Sequence, residues 1–225
     1  MVFDAGFAAK VASFFVLAFA LTSVMLFLPA GTLDYWQAWL FLVVLFVPVL
    51  FLCAYFVKND PALLKRRLMF KEKGENQKKI INSSKAFFFI GFLVPGLDRR
   101  FGWSAVPFEL VLLADAVFLL GYYLTFLVFK QNSFAGRTVE IFKGQKLVTT
   151  GPYSSVRHPM YSAQLLIYLS LPIALGSYWA LIFFLAMPAV LVYRLLDEEK
   201  ILRKGLAGYN AYCKKTPYRL IPFVW

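Results

Sequence analysis

The sequence predicts an all-α integral membrane protein with about five to six transmembrane or hairpin helices. Three observations predict it. First, 60% of the 225 residues are hydrophobic, 25 of them are Phe, and the mean hydropathy is +0.66; a soluble domain holds a much smaller apolar share. Second, several apolar runs approach or exceed ~18 residues, the length a helix needs to cross a bilayer. Third, the basic residues sort to alternate loops. With the N-terminus inside, Lys10, nine residues in 58–85, five in 130–157 and seven from Arg194 onward share one side, 22 of 24, and only Arg99 and Arg100 fall on the other. That is the positive-inside pattern for six apolar segments with both termini cytoplasmic. It also explains the net charge of +12 without invoking nucleic acid.

The segments follow in order. Residues 8–29 are too long for a signal-peptide core and lack a small-residue cleavage site, so they read as a spanning helix. A short link leads to Trp36–Val57, with Trp36 and Trp39 suited to the interfacial belt. The polar stretch 58–85 follows, and Leu63–Phe70 within it reads as a surface helix whose basic residues reach lipid phosphates. Ala86–Leu97 is short and broken by Pro95 and Gly96. Pro107–Phe129 is the next span. In the polar stretch Lys130–Pro159, TVEIF and KLVTT alternate around KGQ and predict a small β-hairpin. Tyr161–Leu196 is the last apolar block. Leu171-Pro172 and Gly176-Ser177 interrupt it, which predicts a tight helical hairpin with a first arm of about fifteen residues, or roughly 22 Å. Two parts result: 1–130, the N-terminal membrane helices with the basic loop 58–85, and 131–225, with the hairpin 161–196 and a C-terminal tail.

Two cysteines, Cys53 in an apolar run and Cys213 in a basic tail, do not make a disulfide framework. With a single histidine, there is no zinc-type ligand cluster, and no metal site is expected.

The polar chemistry is concentrated in three places. GPYSSVRHPMY (Gly151–Tyr161) sets Arg157 and His158 before a helix that Pro159 starts well, since proline suits the first helical position. Such a helix start beside cations is an anion site; read structurally, Arg157 is a positive-inside residue and His158 a cap. YRLLDEEKIL puts Arg194 and Glu198 on one helix face, four residues apart, followed by Glu199. They form either an interfacial ion pair or the wall of a polar cavity. In the tail, Tyr209 and Tyr212 share a face and suit either a pocket for a flat heterocycle or an interfacial anchor. Asp115, inside an apolar span, and Glu109 rank below these.

The run NSFAGRTVEIFKGQKLVTTGPYSSVRHPMYSAQLLIYLSLPIALGSYWALI, then YRLLDEEKIL, GYNAYCKK and YRLIPFVW, resembles the isoprenylcysteine carboxyl methyltransferase family. It also resembles the wider group of membrane methyltransferases that includes phospholipid N-methyltransferases. The resemblance covers Asn132 to the C-terminus and rests on an RHPxY element followed by RxxxEE. It implies an integral-membrane enzyme using S-adenosyl-L-methionine, with a cytoplasmic cofactor pocket formed by the C-terminal half and a hydrophobic or lipid-anchored methyl acceptor entering from the bilayer. Residue by residue, it implies cofactor binding by Gly151, Tyr153, Arg157, His158, Pro159, Tyr161, Glu198, Glu199, Tyr209 and Tyr212, and catalytic roles for Arg194 and Glu198. The acceptor is expected to be a carboxylate, since Arg194 can orient one; a phospholipid amine is the alternative, and it would need a base such as His158 or a glutamate. A nicotinamide-dependent membrane reductase and a non-enzymatic scaffold or lipid-binding protein are the rival readings.

Overall fold

The computed structural model describes residues 5–69 and 75–225. Residues 70–74, including the expected end of the surface helix at Phe70, lie outside them. The described residues are helical, without strands. They form α1 (Ala5–Ala30), α2 (Trp36–Asn59), α3 (Pro61–Arg67), α4 (Glu75–Phe101), α5 (Phe108–Gln131), a 3-10 turn at Gly151–Ser154, α6 (Pro159–Ala174), α7 (Trp179–Phe184), α8 (Met187–Gly205) and α9 (Tyr209–Lys215).

Four stretches are long and apolar enough to span a membrane: α1, α2, α5 and Trp179–Gly205, which takes in α7 and α8. The chain is a multi-pass integral membrane protein. Val16, Leu17, Val43, Val47, Leu113 and Ile182 stay exposed on its flanks, where lipid is as apolar a neighbour as protein. α6 has 16 residues, or ~24 Å of helix, and packs along α5 rather than against lipid all round.

The helices approach closely where side chains are smallest. A Cβ on Gly96 of α4 would stand 2.5 Å from the Leu26 carbonyl oxygen of α1, and one on Gly121 of α5 would stand 3.0 Å from the Ala163 carbonyl oxygen of α6. Small residues at such crossings let backbones touch. Aromatic edges fill the interior: Phe41 meets Phe118 at 5.1 Å between centroids, and Phe56 meets Phe129 at 5.8 Å. Those pairs set α2 parallel to α5.

The bundle has two unlike ends. One carries short turns tied by polar side chains. Asp98 at the end of α4 accepts from the Ser104 backbone N–H and hydroxyl, both at 2.7 Å, and from the Ser177 hydroxyl in the α6–α7 turn. The Tyr35 hydroxyl donates to the Leu175 carbonyl at 2.5 Å, and Arg99 pairs with Asp34 at 3.1 Å. The other end carries α3, the long loop 132–158, the last turns of α8, α9 and the tail.

Four expectations are corrected. Pro95 does not break its segment; α4 runs unbroken through it for 27 residues, because a helix packed on α1 and α7 can absorb the one hydrogen bond proline removes. Pro172 does not interrupt but lies inside α6; the hairpin turns at Gly176, the other interruption expected, whose φ of 72° few other residues adopt. The β-hairpin is absent. Its turn forms, with the Gln145 N–H donating to the Phe142 carbonyl and the Phe142 N–H to Gln145 Oε1, both at 3.0 Å, but no ladder follows. Two isolated strands are marginal, and the flanking side chains find better partners: Leu147 packs with Tyr209 and Tyr212, and Arg66 lies over the Phe134 and Phe142 rings. Finally, Arg66 and Arg67 of α3 turn inward, donating to the carbonyls of Ser133 and Gly136 at 2.8 and 2.9 Å, rather than outward to lipid phosphates.

Candidate functional site

The stretch before α6 is held by the tail. The Arg157 N–H donates to the Tyr218 carbonyl at 2.9 Å and the His158 N–H to the Arg219 carbonyl at 3.0 Å, while the Ser162 hydroxyl reaches the Leu220 carbonyl at 2.6 Å. The tail thus satisfies backbone donors that would otherwise be orphaned at a helix entrance. Pro159 occupies the first turn of α6, and His158 is its N-cap by position, yet its side chain makes no capping bond.

That side chain turns to Glu199. Glu199 is only 4% exposed and is a hub for three arginines and His158. Arg157 Nε lies 3.1 Å and His158 Nε2 3.4 Å from its Oε1, and Arg219 Nε lies 3.3 Å and Arg203 Nη2 3.6 Å from its Oε2. Arg157 and His158 are themselves buried. A buried charge survives only when matched this way, so the hub ties the loop before α6, the end of α8 and the tail into one unit.

One turn away, Tyr161 joins the two residues of the RxxxEE element. Its hydroxyl donates to Glu198 Oε2 at 2.6 Å and accepts from Arg194 Nε at 3.2 Å. Arg194 Nη2 also donates to the Arg137 carbonyl at 2.6 Å. Three tyrosines complete the wall. Tyr209 Oη sits 3.4 Å from His158 Nε2, the Tyr212 hydroxyl donates to the Tyr153 carbonyl at 2.6 Å, and Asn132 donates to the Tyr153 hydroxyl at 2.9 Å. Burial pushes the Tyr153 phenol up to about 12 and those of Tyr209 and Tyr212 above the ordinary range, so all three are neutral hydrogen-bonding groups at pH 7.

These groups open on a cavity of about 1010 Å³. Tyr153, Arg157, His158, Pro159, Tyr161, Arg194, Glu198, Tyr209 and Tyr212 all line it, which brings most of the sequence-derived residues together. Gly151 and Glu199 stand outside the wall: Gly151 turns at φ 61° beside Gln131, and Glu199 sits behind Arg157. Asp115 is buried in α5 away from the cavity, with no hydrogen-bond partner on either oxygen among the described residues, and Glu109 is exposed. The cavity also extends beyond the C-terminal half. Thr22 and Met25 of α1, Arg67 of α3 and Phe88, Phe89 and Phe92 of α4 also line it, so the polar end continues into an apolar reach inside the bundle. Arg67, Arg137 and Arg219 were not singled out from sequence. Arginines of basic loops look alike there, and only the packing sets Arg67 on the Gly136 carbonyl, Arg219 beside Glu199 and Arg137 at the cavity wall.

Residues 110–207 match the phospholipid methyltransferase family. The match starts in α5 and ends before α9, so it takes in the RHPxY element and the end of α8. The chain is also similar to a Delta(14)-sterol reductase of Mus musculus, 36% identical over 91 residues, which are 39% of this chain and 22% of that protein. It is also similar to the nickel-cobalt-cadmium resistance protein NccN of Alcaligenes xylosoxydans xylosoxydans, 35% identical over 80 residues, 33% of this chain and 36% of that protein. The cobalt-zinc-cadmium resistance protein CzcN of Cupriavidus metallidurans is 36% identical over 80 residues, 33% of this chain and 35% of that protein. The chain thus spans well under half the length of each of these relatives. They are a broad membrane group whose similarity to this chain covers at most two-fifths of it.

Proposed function

We propose that the chain is an integral-membrane S-adenosylmethionine-dependent methyltransferase acting on a hydrophobic or lipidic acceptor that presents a carboxylate, with its polar end in the cytoplasm. The observation that carries this is the Tyr161 hydroxyl joining Arg194 and Glu198 on the wall of a cavity that is polar at one end and apolar within the bundle. The phospholipid methyltransferase match over 110–207 supports the reaction class, and the concentration of basic residues at one end supports the orientation.

The residues present fit the cofactor. S-adenosylmethionine joins a flat adenine, a ribose diol and an amino-acid end of both charges. Aromatic faces come from Tyr153, Tyr209 and Tyr212, a carboxylate for the ribose or ammonium from Glu198, and a guanidinium for the carboxylate from Arg157. Glu199 acts by holding Arg157 and His158 in place.

When bound, the cofactor supplies an electrophilic methyl group. The chain then aligns and desolvates. Arg194, braced by Tyr161 and the Arg137 carbonyl, orients the acceptor carboxylate, which attacks without releasing a proton and so needs no base. An amine acceptor must give up a proton, and Glu198 or His158 would take it. Titration of the purified full chain with S-adenosylhomocysteine tests the cofactor: heat at micromolar ligand is expected, and silence at millimolar ligand refutes the reading. Labelled methyl donor with lipid extracts, followed by mass spectrometry, then identifies the product.

A second reading, a membrane reductase using a nicotinamide cofactor, is favoured by the similarity to the mouse sterol reductase. It predicts binding of the reduced dinucleotide in place of S-adenosylhomocysteine and loss of nicotinamide absorbance with a sterol-like substrate.

A further inference from the structure

Three hydrogen-bonding side chains interrupt the apolar reach of the cavity. Thr22 of α1 and Gln164 and Tyr168 of α6 line it beside Met25, Phe92 and Met187. All three are half-buried, and among the described residues none of them makes a side-chain hydrogen bond. Elsewhere the chain settles such groups. Ser13, Ser23, Thr125 and Ser170 each bond the carbonyl four residues back on their own helix, the usual outlet for a hydroxyl in a membrane helix. The other cavity tyrosines, Tyr153, Tyr161, Tyr209 and Tyr212, each engage the hydroxyl. Thr22 and Tyr168 depart from both habits.

Tyr161, Gln164 and Tyr168 are spaced i, i+3 and i+7, so they share one face of α6. The helical rise places Gln164 ~4.5 Å and Tyr168 ~10 Å along the axis from Tyr161, whose hydroxyl joins Arg194 and Glu198. The Tyr168 ring is held edge-on to the Phe88 ring at 6.0 Å between centroids, a contact that fixes the ring and leaves its hydroxyl uncommitted. A plain hydrocarbon filling this reach would strip water from an amide and a phenol and return no hydrogen bond to either. Each would then carry the full desolvation cost of an unmade bond. A ligand with an oxygen at that depth removes the cost.

We infer that the methyl acceptor carries a hydroxyl or carbonyl oxygen on its apolar body, ~5–10 Å from the group that is methylated, and that Gln164 and Tyr168 recognise it, with Thr22 as a third partner from α1. The inference deepens the methyltransferase reading and rests on it for which end of the ligand reacts. Gln164 and Tyr168 are then specificity-determining residues. Both side chains can donate and accept, so a hydroxyl and a carbonyl share the chemistry required. A site built to bond an oxygen rejects the analogue that lacks it far more strongly than an apolar pocket rejects one extra methylene. An unsubstituted hydrocarbon tail is therefore the occupant this cavity disfavours.

The test uses the full chain in a neutral maltoside detergent with S-adenosylhomocysteine present. Three probes share a carboxylate and a chain length: decanoate, its mid-chain hydroxy derivative and its mid-chain keto derivative. One or both oxygenated probes bind at least about tenfold more tightly than decanoate, and which one separates hydroxyl from carbonyl. Tyr168→Phe and Gln164→Leu each reduce the preference, and the double variant abolishes it. The double variant also binds decanoate about threefold or more tightly than the unaltered chain does, because no polar group is left to desolvate; a merely structural role for the two residues would not produce that gain. Comparing each probe across variants cancels its partition into micelles. Helical circular dichroism and S-adenosylhomocysteine binding report on the variants' fold, and the single variants carry the test if the double one does not fold. Equal binding of the three probes overturns the inference, as does a preference that survives both single variants in full, or absence of binding by all three probes. Failure of S-adenosylhomocysteine to bind, with a preference that depends on Gln164 and Tyr168 intact, refutes the methyltransferase reading and upholds the oxygen site. Cofactor binding without any preference among the probes does the reverse.

Discussion

The hydroxyl of Tyr161 donates to Glu198 at 2.6 Å, and the same oxygen receives the Nε of Arg194 at 3.2 Å. Tyr161 enters from the first turn of α6 and Glu198 from the last turns of α8. A single phenol therefore registers two helices at the cavity wall and sets the spacing of a cation and an anion that are neighbours on α8.

Tyr161→Phe keeps the ring and removes that brace. Hydrogen bonds to charged groups contribute about 1.5–3 kcal/mol, so turnover should fall about 10- to 150-fold. S-adenosylhomocysteine affinity should change by less than about fivefold, since the brace positions rather than grips. Labelled methyl transfer and calorimetric titration measure the two separately. Arg194→Ala should abolish turnover while cofactor binding partly survives; equal loss of both would misplace its role.

Glu199→Gln removes the carboxylate that faces Arg157, His158, Arg203 and Arg219 together. Breaking a buried pair leaves its partners' charge uncompensated and costs roughly 3–5 kcal/mol. Thermal unfolding in detergent should show a marked loss of stability. Glu198→Gln, on the cavity side, should leave the melting temperature nearly unchanged and lower turnover instead.

Deleting Tyr218–Trp225 removes the carbonyls that receive the Arg157 and His158 N–H groups, together with the Arg219 side chain beside Glu199. The truncated chain should keep its helical circular dichroism, because no membrane helix is touched. It should lose at least about tenfold in S-adenosylhomocysteine affinity, since several satisfied donors are released at once. Unchanged affinity would show that the tail plays no part in the pocket.

Alkaline pH should weaken the polar end first. Burial, offset in part by the Asn132 hydrogen bond, raises the Tyr153 phenol to about 12 from an unfolded value of 10.0. The folded state then holds a proton that the unfolded state releases, so this contribution is complete below pH ~10 and is lost between pH ~10 and ~12. Tyr153→Phe should flatten the decline of stability in that window, as measured by unfolding midpoints at successive pH values.

Gly96→Ala tests the bundle away from the site. Its Cβ would meet the Leu26 carbonyl oxygen at 2.5 Å, and backbone cannot swing aside as a side chain can. Overpacking of this kind costs about 1–3 kcal/mol, read as a lower melting temperature with cofactor affinity preserved.

Much of the frame was legible in sequence because its causes are local. A run of about twenty apolar residues has few options but a spanning helix, and α1, α2 and α5 appear where that rule puts them. Pro159 marked the start of α6 for a similarly local reason. The errors came where neighbours decide. Pro95 and Pro172 look like breaks in one dimension, yet both sit inside helices whose packing absorbs them. The residues flanking KGQ have strand alternation, yet their side chains are claimed by Arg66, Tyr209 and Tyr212.

For the site, the sequence by itself picked out the polar residues that the structure gathers at one end of the bundle: a lone histidine, an arginine before a helix start, and the acids of RxxxEE. It could not distinguish Glu198 from Glu199, or Arg67 from any other basic residue in its loop. Tertiary structure decided that Glu198 faces the cavity, that Glu199 is buried among three arginines and His158, and that Arg67 turns inward. The physical reason is that a charge near a membrane acquires its role from what neutralises it, and those partners come from elements 20 to 69 residues away along the chain.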